Sequence, residues 1–468
     1  MNTYIKNYWS LYLEFILDFQ KVTYRGLSLS YLIHFPSLIR KRPEVWNAFH
    51  QDAFAERLAR QITDQKEFQQ IFTQYFQSHK QSPSAKKAEG KVIVIGDRLI
   101  RLPDQTYQDY FPPSNTVIVK TSNKEKSIIT PTRIPNKYIS EYQINIKKQK
   151  IIIQNQLRQI LKAYKGHHLY GKEYFQKLLL RKAADVANQI EISNRMLDDV
   201  TASCIIISSP NHFSRVVALV AAERGIPTIC IQHGIVANEF GYLPKIATVD
   251  PVYGQYEVDW YKKMGAPVES LEIIGHPRFD QLFENKIPNK QNMYKKLGLN
   301  TKKKTLMVIV RGNRHIEKWK ILLDTISKSK ELDMNILIKD FPSNPSHELV
   351  KRYPFAQSTK NEELYDLLPI VDGVISYTST VGLEAMLIHK PVFIMHTRLP
   401  SYTGYFDALG EAVQKDPQRL AVQIINYFND ESWKKSIDNA REEFLKYAYP
   451  NVGSSGNRLQ ELVNRLSK

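Results

Sequence analysis

Cysteine is scarce in this sequence, and its scarcity excludes a disulfide-stabilised architecture. The 468 residues contain only two cysteines, Cys204 and Cys230. Both lie inside apolar runs, which is typical of buried thiols and not of a disulfide pair or a metal site. The low count is also compatible with a reducing compartment.

Several motifs of catalysis and nucleotide binding are missing. The sequence has no HExxH, CxxC or DxD motif, so we predict no bound metal and disfavour a metal-dependent transferase. It also has no Walker A loop, no GxSxG nucleophile elbow and no GxGxxG dinucleotide fingerprint. His167 and His168 are adjacent, and neighbouring residues do not face one ligand on a helix. We therefore expect no cofactor, only a nucleotide-linked substrate.

Long apolar runs are absent as well. No uninterrupted stretch reaches about 18 apolar residues, so no transmembrane helix is predicted. The aromatic segment 8–19 is broken by Glu14 and Asp18 and lacks the features of a signal peptide. These absences predict a cytoplasmic protein. Two roles for the aromatic segment stay open, namely packing in a core and peripheral contact with the inner face of an anionic plasma membrane.

Positive charge is what the chain has in excess. It contains 65 basic and 47 acidic residues, a net charge of +18. Such an excess suits an anionic partner, for example a nucleotide, a polyphosphate or an acidic membrane surface. A solvated basic surface is the alternative explanation. Nucleic acid is disfavoured as a partner because no recognised nucleic-acid-binding motif is present.

The order of strand and helix patterns predicts an α/β protein with two similar domains. Buried strand patterns alternate with amphipathic helices, which indicates parallel sheets. A polar bridge near 286–292 separates the two series of patterns. The predicted organisation is a helical N-terminal region, a first Rossmann-like acceptor domain, a second Rossmann-like nucleotide-donor domain and C-terminal helices, at residues 1–85, 86–287, 292–440 and 441–468.

The first domain contains a strand–helix–strand unit whose strand ends carry histidines. The unit reads SCIIISSPNH, FSRVVALVAAERG and IPTICIQHG. Ligands of parallel sheets bind beyond the carboxyl ends of the strands, which favours His212 and His233. His233 is the first candidate for a catalytic base, because histidine titrates near neutrality and Gly234 leaves space beside it. A purely structural strand-end histidine is the alternative. The other candidates from this domain are Glu239 for catalysis and Gln232, Gly234, His276 and Arg278 for the acceptor side of the cleft.

The segment 372–396 is the best candidate for donor binding. It reads DGVISYTSTVGLEAMLIHKPVFIMH, which predicts a strand, a hydroxyl-rich turn, a helix opened by Gly382, and a second strand. Hydroxyls and backbone N–H groups at a helix N-terminus suit an anion. We expect this turn to hold a donor diphosphate and Glu384 to bind the ribose. The full predicted donor set is Arg311, Gly312, Asn313, Lys339, Ser376, Thr378, Ser379, Thr380 and Glu384.

Four of these segments together resemble a known group of enzymes. They are IQHGIVANEFGY, GHPRFD, LIKDFP and SYTSTVGLEAMLIHKPVFIM, in that order within residues 200–400. The series resembles GT-B-fold transferases of bacterial surface and capsular polysaccharide synthesis, including CDP-glycerol glycerophosphotransferases. The resemblance implies an HG motif at His233-Gly234, a GxPR turn at 275–278, and a hydroxyl loop followed by an acidic residue at Glu384. It therefore implies the GT-B fold, two Rossmann-like domains facing a cleft.

The chain departs from that pattern at three places. A KxHP motif is replaced by KDFP at 339–342, which weakens a phosphate role for that loop. Tyr377 stands where the glycerophosphotransferases usually have an aspartate, and Gln232 where they have a tryptophan. These two differences favour a sugar donor over CDP-glycerol.

The leading expectation is a metal-independent glycosyltransferase that moves a sugar from a nucleotide-sugar donor to a cell-surface glycan or lipid-linked acceptor. Three alternatives remain. A CDP-glycerol-type glycerophosphotransferase would differ in its donor, and a non-hydrolysing UDP-sugar epimerase would act without an acceptor. A non-catalytic glycan-binding protein would bind but not turn over any donor.

Overall fold

Two parallel β-sheets with surrounding helices form the framework of the protein. A computed structural model describes residues 1–82, 89–122, 133–284, 289–329, 333–397 and 399–468. The predicted domain boundaries at 85/86 and 287, and part of the predicted bridge, lie outside the described residues. The α/β class and the parallel pairing of both sheets agree with the prediction.

The first sheet has five parallel strands. Their order across the sheet is Asn136–Tyr138, Thr116–Lys120, Lys91–Gly96, Ala202–Ile207 and Thr228–Cys230. A bridge between Ile229 and Val249 leads to a parallel pair of short strands, Asp250–Val252 and Leu271–Ile273. The α-helices of this domain are Asp104–Tyr110, Lys147–Ala163, Glu173–Asp199, His212–Glu223, Gln255–Lys263 and Pro277–Asp280.

The N-terminal region packs onto this domain through its aromatic side chains. Tyr8, Trp9 and Tyr12 of the first helix are at most 3% exposed. They belong to the same hydrophobic core as the first sheet, so core packing explains the aromatic segment. A short hairpin, Thr23–Tyr24 with Leu27–Ser28, was not predicted. The α-helices of the region are Thr3–Phe19, Leu29–Leu32, Pro36–Ile39, Pro43–Ala48 and Glu67–His79.

The second sheet has six parallel strands and its own hydrophobic core. Their order is Ala356–Ser358, Met334–Lys339, Lys304–Ile309, Gly373–Tyr377, Val392–Met395 and Val413–Gln414. The α-helices are Lys290–Leu297, Ile316–Lys328, Glu348–Arg352, Leu364–Leu367, Thr380–Leu387, Pro417–Asn429 and Glu431–Ala448. The helix of the hydroxyl loop begins at Thr380, two residues before the predicted Gly382, because the Ser379 side chain caps it.

The last helix returns to the first domain. Leu459, Leu462 and Val463 of Ser455–Leu466 are buried against residues of the first sheet. Asp280 accepts hydrogen bonds from the backbone N–H groups of Ser455 and Gly456, at 3.0 and 2.9 Å, and so anchors its first turn. The C-terminal helices therefore belong to both domains and do not form a separate unit. Among the described residues, the 3₁₀ segments are Asp52–Arg57, Ile139–Tyr142, Glu239–Gly241, Val268–Ser270, Gln281–Phe283 and Asp407–Ala412.

Candidate active site

Strand order locates a crevice at the carboxyl edge of each sheet. In the first sheet the chain runs outward from Lys91–Gly96 and then restarts beside it at Ala202–Ile207. In the second sheet the chain runs outward from Lys304–Ile309 and then restarts beside that strand at Gly373–Tyr377. Ligands of open α/β sheets bind at such switch points. The candidate site therefore lies where the loops that follow these strands meet.

His233 lies at the switch point of the first sheet. Its ring stacks on Tyr242 with centroids 4.8 Å apart. Beside it, the Asp97 carboxylate accepts the Ser208 hydroxyl at 2.7 Å, which ties the two central strand ends together. Burial and the nearby Arg101 guanidinium lower the pKa of His233 to about 4. The imidazole is therefore neutral at pH 7 and is able to accept a proton.

The strongest electrostatic feature of the cleft is a buried ion pair between the two domains. Arg278 of the first domain donates through Nη2 to Glu384 Oε1 of the second. Burial raises the pKa of Glu384, and the Arg278 guanidinium opposes that shift. Tyr365 lies beside both groups. Glu384, predicted to bind a ribose, is thus held by Arg278, and the GxPR turn and the hydroxyl-loop helix meet directly.

Arg101 is a cationic residue of this site that the sequence did not single out. It follows the strand Lys91–Gly96 and has φ of 46°. Its guanidinium interacts electrostatically with His233, Arg278 and Glu384. The only sequence signal was a basic residue four positions after the strand-end Asp97. With Arg278 it brings two positive charges beside one buried carboxylate, which favours binding of an anionic ligand.

A close contact joins the segment that follows His233 to the hydroxyl loop of the second domain. Thr380 Oγ1 accepts a hydrogen bond from the Ile235 N–H at 3.2 Å. A Cβ at Gly234 would lie only 3.0 Å from the same oxygen. A larger residue at position 234 would therefore have to displace the Thr380 hydroxyl by a few tenths of an ångström. The structure brings the His233-Gly234 motif and the hydroxyl loop together, as the predicted cleft demands.

In the hydroxyl loop, residues 376–380, some side-chain hydroxyls form hydrogen bonds within the protein and others do not. Ser376 donates to the Tyr377 carbonyl at 2.8 Å, and the Ser379 oxygen accepts the Val381 N–H at 3.3 Å. Thr378 Oγ1 is buried and has no hydrogen-bond partner among the described residues. Thr378 is therefore the hydroxyl best placed to gain a bond from a ligand.

The remaining candidates for donor binding differ in how far their polar groups already form hydrogen bonds within the protein. Lys339 Nζ donates to the backbone carbonyls of Thr359, Lys360 and Glu362, so it serves to close that turn. Its ammonium is satisfied by protein, which argues against the predicted role as a phosphate ligand. Of the loop 311–313, the Gly312 N–H donates to Asp340, the Asn313 side chain accepts from the Glu348 N–H, and Arg311 is exposed.

Two predicted residues of the first domain, Glu239 and His212, form contacts with the N-terminal region. Glu239 Oε2 accepts the Trp9 indole N–H at 2.7 Å and lines a separate cavity of about 170 Å³ that is also lined by Trp260. Burial raises the pKa of Glu239. His212 begins a helix and packs edge-on against His34, with ring centroids 4.7 Å apart. The expectation that both residues would join the catalytic cleft is therefore not supported by their contacts.

Gln232 and His276, two further predicted residues, form hydrogen bonds that fix the backbone of the site. Gln232 Nε2 donates to the Gly234 carbonyl at 2.8 Å and to Glu257 at 3.0 Å. His276 Nδ1 accepts the Arg278 N–H at 3.0 Å and caps the turn that carries that arginine. Burial lowers the pKa of His276 well below its usual range, so it stays neutral. Both are positioning residues in this arrangement.

No group of three His, Cys, Asp or Glu side chains clusters as metal ligands would within the described ranges. Across the same part of the chain, no helix is long and apolar enough to cross a membrane.

The second half of the chain matches a known protein family. Residues 260–464 match the family described as CDP-Glycerol:Poly(glycerophosphate) glycerophosphotransferase. The match includes Arg278, the hydroxyl loop and Glu384, whereas His233 lies before it. It spans less than half of the chain. No curated protein sequence matches the chain.

Two solved UDP-N-acetylglucosamine 2-epimerases share its architecture. A UDP-N-acetylglucosamine 2-epimerase aligns at 12% identity and TM-score 0.52, covering 80% of this chain and 95% of that chain. The UDP-GlcNAc 2-epimerase from Neisseria meningitidis aligns at 13% identity and TM-score 0.52, covering 80% and 99%. The wall teichoic acid polymerase TagF aligns at 14% identity and TM-score 0.49, covering 92% and 98%. The two epimerase alignments show that the chain has the GT-B fold, and residues 260–464 match the model of the CDP-Glycerol:Poly(glycerophosphate) glycerophosphotransferase family.

Proposed function

We propose that this protein transfers a group from a nucleotide-linked donor to a hydroxyl acceptor in the cleft between its two domains. The observation that carries the proposal is the meeting of His233-Gly234, Arg278 and Glu384 with the hydroxyl loop at the strand ends of both sheets. One side supplies a neutral imidazole, and the other supplies hydroxyls and a helix N-terminus. These are the groups that such a transfer requires.

The donor we place first is CDP-glycerol, with glycerol phosphate as the transferred group. The match of residues 260–464 to the glycerophosphotransferase family supports this choice over the nucleotide sugar that the sequence favoured. A nucleotide-sugar donor, and hence a glycosyltransferase, remains the second candidate. It is favoured by Tyr377 and Gln232, which stand at the two places where this chain departs from the glycerophosphotransferase pattern.

The proposed reaction with CDP-glycerol uses the two substrates and the side chains of the cleft. The acceptor hydroxyl oxygen forms a bond to the β-phosphorus, the bond from that phosphorus to the bridging oxygen breaks, and CMP leaves. His233 accepts the hydroxyl proton. Arg101 and Arg278 stabilise the charge that develops on the phosphate oxygens, because fixed cations in a partly desolvated cleft act strongly on such charge.

The acceptor we propose is a cell-surface glycan, a glycerol phosphate polymer or its lipid-linked precursor, as made for bacterial capsules and envelopes. The family description, which names poly(glycerophosphate), and the net charge of +18 support an anionic acceptor. We place the reaction at the cytoplasmic face of the membrane, where the protein would make peripheral contact.

Donor identity is tested by ligand binding followed by turnover. Each of CDP-glycerol, UDP-sugars and CMP-sugars is added to the full chain, and the shift of the unfolding temperature is measured. We expect stabilisation by CDP-glycerol, and release of CMP only when an acceptor is present. Stabilisation by a UDP-sugar with release of UDP would make the protein a glycosyltransferase instead.

The same assay separates the remaining alternatives. Conversion of a UDP-sugar without any acceptor would identify an epimerase. Binding of a glycan without turnover of any donor would identify a non-catalytic binding protein. Either outcome would refute the proposed transfer.

A further inference from the structure

Arg215 is a buried cation that forms no ion pair with a carboxylate of the described residues. It lies one turn into the helix His212–Glu223 and is 0% exposed. Its Nε donates to the Pro210 carbonyl at 2.8 Å, and its Nη1 donates to the Tyr12 hydroxyl at 2.7 Å. Its Nη2 is buried and has no hydrogen-bond partner among the described residues. A buried charge without a counter-ion is costly, so we expect a compensating anion nearby.

The groups around Arg215 are also basic. The rings of His34 and His212 are 4.7 Å apart, and both interact electrostatically with Arg215. Lys182 and Arg40 contribute to the same field. Burial, followed by this positive field, lowers the pKa of His34 to about 2 and also lowers that of His212. In the part of the chain that the structure describes, none of these five residues forms an ion pair with an acidic side chain.

The cluster also lies at the positive end of a helix dipole. His212 begins a helix of 12 residues that follows the strand Ala202–Ile207. The guanidinium of Arg215 folds back to the carbonyl of Pro210, so it lies beside the first turn of that helix. His212 and Arg40 are exposed, which leaves the cluster open to solvent on one side. A helix N-terminus with free N–H groups adds to the attraction for an anion.

We propose that His34, Arg40, Lys182, His212 and Arg215 form a second anion site, which binds the oxyanion of a phosphomonoester or phosphodiester. It is separate from the Arg278–Glu384 cleft and uses different residues. An oxyanion here offsets the buried charge of Arg215 and accepts hydrogen bonds from Arg40, Lys182 and His212. The proposal does not depend on turnover, so it is tested independently of the proposed transferase activity.

The test uses full-length protein and inorganic phosphate. Thermal unfolding is followed during a phosphate titration, with chloride added to keep the ionic strength constant. The double variant K182Q/H212N removes the ammonium of half-buried Lys182 and the imidazole of exposed His212, and leaves Arg40 and Arg215 in place. R181Q is the matched control, because Arg181 is exposed and is the neighbour of Lys182 on the same helix.

We expect phosphate to stabilise wild type and R181Q alike, and the half-saturating concentration to rise at least tenfold in the double variant. Phosphate should also move the imidazole NMR resonance of His212 at the same concentration. Equal behaviour of R181Q and the double variant, or no stabilisation beyond that by chloride, would overturn the site.

Glycerol 3-phosphate and vesicles of phosphatidylglycerol then distinguish the source of the phosphate. Saturation by glycerol 3-phosphate that requires Lys182 and His212, without vesicle binding, supports a soluble phosphate chain as ligand. Co-sedimentation with vesicles that requires the same residues supports a lipid headgroup. Failure of both arms contradicts the proposal. The affinity for the donor nucleotide should be the same in all three proteins, which separates loss of this site from loss of the donor site.

Discussion

His233 is the residue on which the proposed chemistry depends. Its imidazole is neutral, and the next residue, Gly234, approaches Thr380 of the second domain. General-base catalysis contributes about 10²- to 10⁴-fold to a rate. We therefore expect H233N to lower kcat at least a hundredfold and to leave the Kd for the donor nucleotide within about twofold. H389N is the control, because His389 lies on the surface beside Glu442. Unchanged turnover of H233N would remove this histidine from the mechanism.

Arg101 controls the acidity of that histidine. After burial, its positive charge is the largest cause that lowers the pKa of His233. R101Q should raise this pKa toward its usual value, so the imidazole becomes protonated, and activity is lost, at a higher pH than in wild type. The acid limb of the profile of kcat/KM against pH measures the shift. R98Q, a change at an exposed arginine of the same loop, should leave the limb where it is.

At the scale of elements, the hydroxyl-loop helix Thr380–Leu387 depends on its first residues. Ser379 caps it by accepting the Val381 N–H. Loss of such a cap costs about 1 kcal/mol of folding free energy. S379A should lower the free energy of unfolding by roughly that amount in urea denaturation, and S379D, which can still cap, should lower it less. Equal losses in both variants would show that capping is not the role of this serine.

The same helix also links the two domains. Glu384 is buried and paired with Arg278, so E384Q leaves a buried guanidinium without its carboxylate. Breaking a buried pair on one side costs about 3–5 kcal/mol. Urea unfolding should show a loss of that order. E442Q removes a half-exposed partner of Arg441 and should cost about 1 kcal/mol or less. If the two losses are equal, the interdomain pair does not stabilise the fold.

At the scale of the whole molecule, the buried histidines make stability fall as pH decreases, whereas buried Glu257 makes it fall as pH increases. Histidines whose pKa is lowered by burial, such as His168 and His233 at about 4, take up protons more readily when unfolded, so stability falls as pH drops below about 6.5. Glu257, whose pKa burial raises to about 8, takes up protons more readily when folded, so its contribution is lost as pH rises from about 4.5 through 8.

Since the two histidines lower stability below about pH 6.5 and Glu257 lowers it as pH rises toward 8, the free energy of unfolding should be highest near pH 6.5 and should fall on either side. Urea denaturation at a series of pH values measures this curve. E257Q should make the fall above pH 6.5 shallower, since the group that loses its proton there is gone. A wild-type stability that keeps rising from pH 6.5 to 8 would contradict the assignment.

Much of the fold was predictable, because it depends on local patterns. The strand, turn, helix and strand of 372–396 follow from alternating apolar runs, hydroxyls and Lys390-Pro391. The βαβ unit that carries His233 follows in the same way. The hairpin at Thr23–Tyr24 was missed because two-residue strands leave no periodic signal. The helix start at Thr380 was missed because a serine cap outweighs the low helix propensity of the residues before Gly382.

The sequence by itself determined which residue types end each strand of the sheets, and hence that His233, the hydroxyl loop and Glu384 stand at the carboxyl edges. Only the tertiary structure decided their partners. Lys339 bonds to three carbonyls, Glu239 bonds to Trp9, and Arg101 joins the site from far away in the chain. The physical reason is that strand and helix patterns depend on residues close together in the sequence. Ion pairs and burial depend on residues that only folding brings together.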